Sequence, residues 1–116
     1  MAYDENLARR VQKVLEKRPG FVEKKMFGGI GYLLNGNMAC GVLNNDLIVR
    51  VGPAAYEESL KMPDTRKFDI TGKPMKGWIM VSGAGSRSEA DLLGWVQRGA
   101  NFALSLPAKQ HIGISS

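Results

Sequence analysis

The sequence holds one cysteine and one histidine in 116 residues, and that scarcity removes several chemistries at once. Cys40 has no second cysteine to pair with, so an internal disulfide is excluded and a reducing, cytoplasmic setting is expected. One Cys and one His cannot make a zinc site, and the acidic residues show no calcium-loop spacing. His111 stands in the tail that follows the last helix, 106–116, which reads as frayed. A Ser-His-Asp or Cys-His site needs a base held rigidly against its nucleophile, which such a tail does not provide. No catalytic residue, metal or cofactor is therefore expected.

Long apolar runs are missing too. None approaches the roughly 20 residues that span a bilayer, and the polar start Met1-Ala2-Tyr3-Asp4-Glu5-Asn6 lacks the basic and apolar segments of a signal peptide. A membrane partner is not expected. Strong charge of one sign is also absent. The formal balance is +5 with a sequence pI of about 9.6, spread along the chain. That permits attraction to nucleic acid or an acidic protein without marking a dedicated polyanion binder.

What is present reads as one globular domain, 1–116. Apolar residues make up 44% and charged residues 23%, close to globular averages. Leu7, Val11, Val14 and Leu15 fall on one face of a helix over 5–17, with Asp4 as its cap and Pro19-Gly20 as its stop. The period then changes to two. Ile30, Tyr32 and Leu34 alternate with Gly31 and Leu33, then Met38, Cys40 and Val42, then Leu47, Val49 and Val51. Asn35-Gly36 and Asn44-Asn45-Asp46 mark the turns of a three-stranded meander. Pro53 is placed at the first position of a short helix to Lys61. Strands follow at 68–70 and 78–81, the latter apolar on both faces and so interior in the sheet. Ser88-Glu89-Ala90-Asp91 opens a last helix, as in a capping box, with Leu92, Trp95, Val96, Gly99 and Ala103 on one face. The order α-βββ-α-ββ-α implies an α+β fold: two layers, an antiparallel sheet with helices packed on one face. Leu7, Val11, Tyr32, Leu34, Val49, Trp78, Leu92 and Val96 are the expected core.

Few residues stand out as chemical. Cys40, between Met38 and Val42 on one strand face, reads as a buried small hydrophobe. Gly83-Ala84-Gly85-Ser86-Arg87-Ser88 lies between strand and helix, the setting of a phosphate loop. The third glycine of a dinucleotide fingerprint is a serine here, and no strand with a ribose-binding acid follows. A turn plus helix cap explains the segment. Arg9, Lys13 and Lys17 form a basic row on the first helix, by default a solvated face. Two segments place glycines beside lysines and a large apolar side chain, more than a turn requires. They are Lys25-Met26-Phe27-Gly28-Gly29 and the loop holding Lys73, Met75 and Lys76. Either they form a partner surface, with lysines steering and Met26, Phe27 and Met75 in contact, or Phe27 and Met75 plug the end of the core.

The run Lys24-Lys25-Met26-Phe27-Gly28-Gly29, the hairpin Gly36 to Val42 and the strand Asp46 to Pro53, followed by the loop Gly72-Lys73-Pro74-Met75-Lys76-Gly77-Trp78, Trp95-Val96 and Ser105-Leu106-Pro107, resemble the N-terminal domain of the TfoX/Sxy family. The resemblance runs from about Asn6 to Lys109. It implies an α+β fold and a link to regulation. Full-length TfoX/Sxy proteins are positive regulators of DNA-uptake competence, thought to assist a cyclic-AMP-responsive transcription activator. Those regulators carry a second, C-terminal domain, so a single-domain member is expected here. The family supplies no catalytic residues. The expectation is a non-enzymatic regulatory or protein-interaction module whose partner is another protein. The rival readings are a weak nucleic-acid binder and a small-anion or nucleotide binder that uses the glycine loops with Lys73, Lys76 and Arg87.

Overall fold

The helical periods and alternating strands resolve into a six-stranded antiparallel sheet in a computed structural model that describes residues 3–26, 28–69 and 75–108. The elements are α1 (Glu5–Leu15), β1 (Phe21–Met26), β2 (Gly29–Leu34), β3 (Asn37–Leu43), β4 (Asp46–Arg50), α2 (Tyr56–Leu60), β5 (Thr65–Lys67), β6 (Trp78–Val81) and α3 (Glu89–Ser105). A 3-10 turn over Gly83–Ser86 precedes α3. The strand order is β1-β2-β3-β4-β6-β5, so β6 is interior, as its apolar sequence implies.

Local chemistry accounts for the element ends. The Asp4 carboxylate accepts from the Asn6 and Leu7 backbone N–H groups at 2.9 and 3.1 Å, and Ser88 Oγ accepts from Asp91 N–H at 3.0 Å. Each satisfies donors that the first helical turn leaves open. Asn35 and Gly36 both take positive φ, 54° and 82°, as a two-residue hairpin turn requires.

The helices all lie on one face. Leu7, Val11 and Leu15 of α1 and Leu92, Trp95, Val96, Ala100 and Ala103 of α3 pack with Ile30, Tyr32, Leu34, Cys40, Val42, Leu47, Val49, Ile79 and Val81, and Tyr56 brings α2 into the same core. The Tyr32 hydroxyl donates to the Ala8 carbonyl at 2.8 Å, which ties α1 to β2. Where α3 crosses β3, a Cβ on Gly99 would collide with the Ala39 carbonyl oxygen, so only glycine allows this approach.

Five expectations are corrected. First, the sheet gains a sixth strand, β1, ahead of the three-stranded meander, and its Glu23, Lys24 and Lys25 are exposed. An edge strand paired on one side has little apolar alternation to reveal it. Second, the first short strand is Thr65–Lys67 rather than 68–70. Phe68 lies just beyond it, and residue 70 falls outside the described residues. Third, the short helix begins at Tyr56, not Pro53. Pro53 forms the preceding turn, its carbonyl accepting from Tyr56 N–H at 3.4 Å. Fourth, the register shifts between Tyr32 and Leu33, so Tyr32 faces Cys40 while Leu33 faces Met38. Ala39 is the extra residue of this bulge, and Met38 does not share the face of Cys40. Fifth, Trp78 belongs to a second cluster with Ile48, Phe68, Met80 and Leu43 on the face without helices. The other seven expected core residues are buried together. The tail beyond Ala108 lies outside the described residues.

Candidate functional site

The two suspected segments sit at opposite ends of the sheet. Lys25 and Met26 end β1, Gly28 is an exposed turn residue with φ 76°, and Gly29 opens β2, buried so close to the Val42 carbonyl that a Cβ would collide with it. Lys25 pairs with Ile30, Ile30 with Val42, Val42 with Leu47 and Leu47 with Val81. The loop residues Met75 and Lys76 precede Trp78, which pairs with Arg50 at the far end of β4. Three residues along the sheet and four strand spacings across it separate the two, roughly 10 and 19 Å. They do not make one patch. Phe27 and Lys73 lie outside the described residues.

The Met75–Trp78 end is the richer of the two. Met75 is 41% exposed and Lys76 is exposed. The Met75 N–H donates to the Phe68 carbonyl at 3.0 Å and its carbonyl accepts from Trp78 N–H at 3.1 Å, which ties Met75 to two residues of the open-face cluster. The Arg50 guanidinium lies between two rings, 5.2 Å from the centroid of Trp78 and 5.3 Å from that of Phe102. Arg98, one turn earlier on α3, stacks on Trp95 at 4.5 Å and reaches the Met62 sulfur at 2.9 Å. Each guanidinium is attracted to the negative face of its ring, which restrains its position. Neither has a carboxylate partner among the described residues, where the ion pairs are Arg10–Glu89 and Arg66–Asp46.

Beside these arginines a cleft of about 430 Å³ opens between α2 and α3. Val51, Ala55, Met62 and Phe102 give it an apolar floor, and Glu58, Ser59, Arg98 and Asn101 its polar wall. Gly52 allows Phe102 to close the floor: its φ is +89°, and a Cβ there would stand 2.5 Å from the ring. An apolar floor with a few fixed polar groups is the form of a recognition site. Sequence reasoning missed Arg50, Arg98, Trp95 and Phe102 as site residues. The Trp95-Arg98 spacing of three was a visible signal, whereas the Arg50–Trp78–Phe102 stack joins residues that only the fold brings together.

The remaining candidates resolve into structure. Cys40 is fully buried, and burial pushes its thiol up from 9.0 to about 12, so no reactive thiolate stands there at neutral pH. At the glycine segment 83–88, Ser88 already caps α3, and Glu89 and Asp91 occupy its first turn. Both oppose an anion at that helix end. Arg9 and Lys13 are exposed on α1, but the expected row of three is cut short, because α1 ends at Leu15 and Lys17 is exposed in the turn beyond it. Among the described residues, no three His, Cys, Asp or Glu side chains gather as a metal site would need, and no helix is long and apolar enough to cross a membrane. His111 lies outside the described residues.

Comparison with known proteins gives one finding. The family model described as TfoX N-terminal domain matches residues 13–103. No curated protein and no solved structure matches the chain.

Proposed function

The chain belongs to the TfoX N-terminal domain family, and on that premise we propose that it is a non-enzymatic protein-interaction module serving regulation, with a transcription-linked partner bound at the Arg50–Arg98 end of the sheet. One observation carries the reading. Arg50 and Arg98 lie over aromatic rings beside an apolar-floored cleft, without a carboxylate partner among the described residues. Stacked arginines and buried aromatic anchors are the groups that dominate protein interfaces. A partner segment would place an apolar side chain on Phe102 and Val51 and a carboxylate on Arg98. Exposed Met75 and Lys76, with Lys73 in the same loop, would extend the contact. The module acts without a cofactor, in the cytoplasm. Contact with nucleic acid is weak, because Arg9 and Lys13 on α1 with Lys17 just beyond it neutralise few phosphates.

The test is capture from the source cell by the immobilised domain, with bound proteins identified by mass spectrometry. Arg98→Glu and Lys76→Glu should leave folding intact and abolish capture of the specific partner. Capture unchanged by both, with each variant folded, sinks the reading.

A further inference from the structure

We propose that β1 is a self-recognition edge, through which two copies of this chain pair antiparallel about a two-fold axis. The argument begins with the hairpin. Met26 pairs with Gly29 across a two-residue turn, so these two exchange both backbone hydrogen bonds. Bonding then alternates back along β1: Lys24 and Val22 also bond to β2, while Glu23 and Lys25 direct their N–H and C=O groups away from it. The Phe21 N–H, next in the outward set, donates to the Arg18 carbonyl at 3.3 Å instead of to β2. Glu23 and Lys25 have no hydrogen-bond or ion-pair partner, backbone or side chain, on the free side among the described residues. Such an edge is a template for another strand. The opposite edge, β5, is only three residues long.

Charge selects both the occupant and the register. Only outward-directed residues can exchange bonds across the axis. One register places Glu23 against Glu23 of the second copy, and another places Lys25 against Lys25. The register between them is centred on Lys24 and sets Glu23 opposite Lys25 twice, with four main-chain hydrogen bonds. Cross-strand partners share a face. Glu23 pairs with Tyr32 and Lys25 with Ile30 on the helix-bearing side, so each pair is matched in face as well as in sign.

The helices do not obstruct this pairing. α1 lies over β2 and β3, and β2 would stand three strand spacings, about 14 Å, from its copy. Two helix cylinders of about 10 Å fit side by side at that distance. The groove that Glu5, Arg9 and Gln12 form with Glu23 would lie over the new ion pairs. The register has one flaw, that Lys24 meets Lys24 of the second copy on the other face. Six residues per copy is a small interface, so the dimer is weak and depends on concentration.

Sedimentation equilibrium of the full chain, from about 10 µM to about 1 mM, tests this. Wild type should show a monomer–dimer equilibrium. Glu23→Lys or Lys25→Glu should each weaken it about tenfold or more, and the double swap should restore it. Lys24→Thr should tighten it, and the Glu23 and Lys25 amides should gain hydrogen-exchange protection as concentration rises. A strictly monomeric wild type, or a dimer indifferent to these reversals while circular dichroism shows the variants folded, would overturn the proposal. A swap that fails to restore pairing would overturn it too.

Discussion

The two faces of the sheet use the same strands to different ends. On the helix side, Tyr32, Leu34, Cys40, Val49, Ile79 and Val81 are all at or below 1% exposure beneath α1 and α3. On the other side, the buried hydrophobic cluster among the described residues is Ile48, Phe68 and Met80 with Leu43 and Trp78 at their margin. Toward β1 that face carries few large side chains. Gly31 pairs with Gly41, and Val22 is 51% exposed. One face is thus specified by jigsaw packing against two long helices. Among the described residues no helix packs on the other, and the Met75 backbone is tied to Phe68 of its small cluster. The arginine and aromatic rim stands where the thin cluster meets the end of α3.

This contrast predicts unequal costs for similar truncations. Leu34→Ala, at 0% exposure, should lose about 4–5 kcal/mol of stability, the upper part of the range for a buried aliphatic. Ile48→Ala, at 4% exposure in a cluster of only three buried side chains that can settle into the gap, should lose about 2 kcal/mol. Urea denaturation of both variants decides the matter. Equal losses would mean that the open face is as firmly built as the covered one. Gly99→Val belongs with the first group, since its side chain would enter the Ala39 backbone.

Cys40 extends the comparison through pH. Its folded thiol, held up near 12 by burial, sits above its ordinary value of 9.0. Burial, aided by Glu23, also raises the Tyr32 hydroxyl. Both groups favour the neutral form in the folded state, so their stability is fully present below the unfolded values. It is lost as pH rises through roughly 9 toward 12. Denaturation midpoints should fall across that window, and Cys40→Ala should flatten part of the fall. A midpoint that does not change from pH 8 to 11 would contradict the burial of this face.

What the sequence made legible followed from local signals. The period of α1 and α3, the Asp4 and Ser88 caps and the Asn35-Gly36 turn each rest on neighbours within a few residues. β1 was invisible because Glu23, Lys24 and Lys25 carry no alternation, and its strand state comes from pairing with β2. The bulge at Ala39 was equally hidden, since it lies in the pairing of β3 with β2 and not in the local pattern. At the candidate site, Met75 and Lys76 were found as exposed oddities in a loop. Arg50 and Phe102 were not, because a strand arginine and a helix phenylalanine look ordinary until β6 brings Trp78 beside them.

The smallest expected effect lies on the outer rim of the helix layer, where α1 meets the start of α3. Arg10 donates to the Glu89 carboxylate at 2.9 Å and to the Arg87 carbonyl at 3.0 Å. Its side chain is 23% exposed, whereas that of Glu89 is 83% exposed. An ion pair with one partner in water gains little, because solvent screens it and two long side chains must be ordered. Glu89→Gln should therefore change stability by less than about 0.5 kcal/mol. Arg10→Ala should cost about 1 kcal/mol, because it also removes the carbonyl contact and the packed stem of the side chain. Thermal melts in low and high salt separate the two contributions. The Glu89 effect should vanish with salt, and most of the Arg10 effect should survive. If Glu89→Gln cost as much as Ile48→Ala, the ranking of covered core over thin cluster over polar rim would fail at its lowest step.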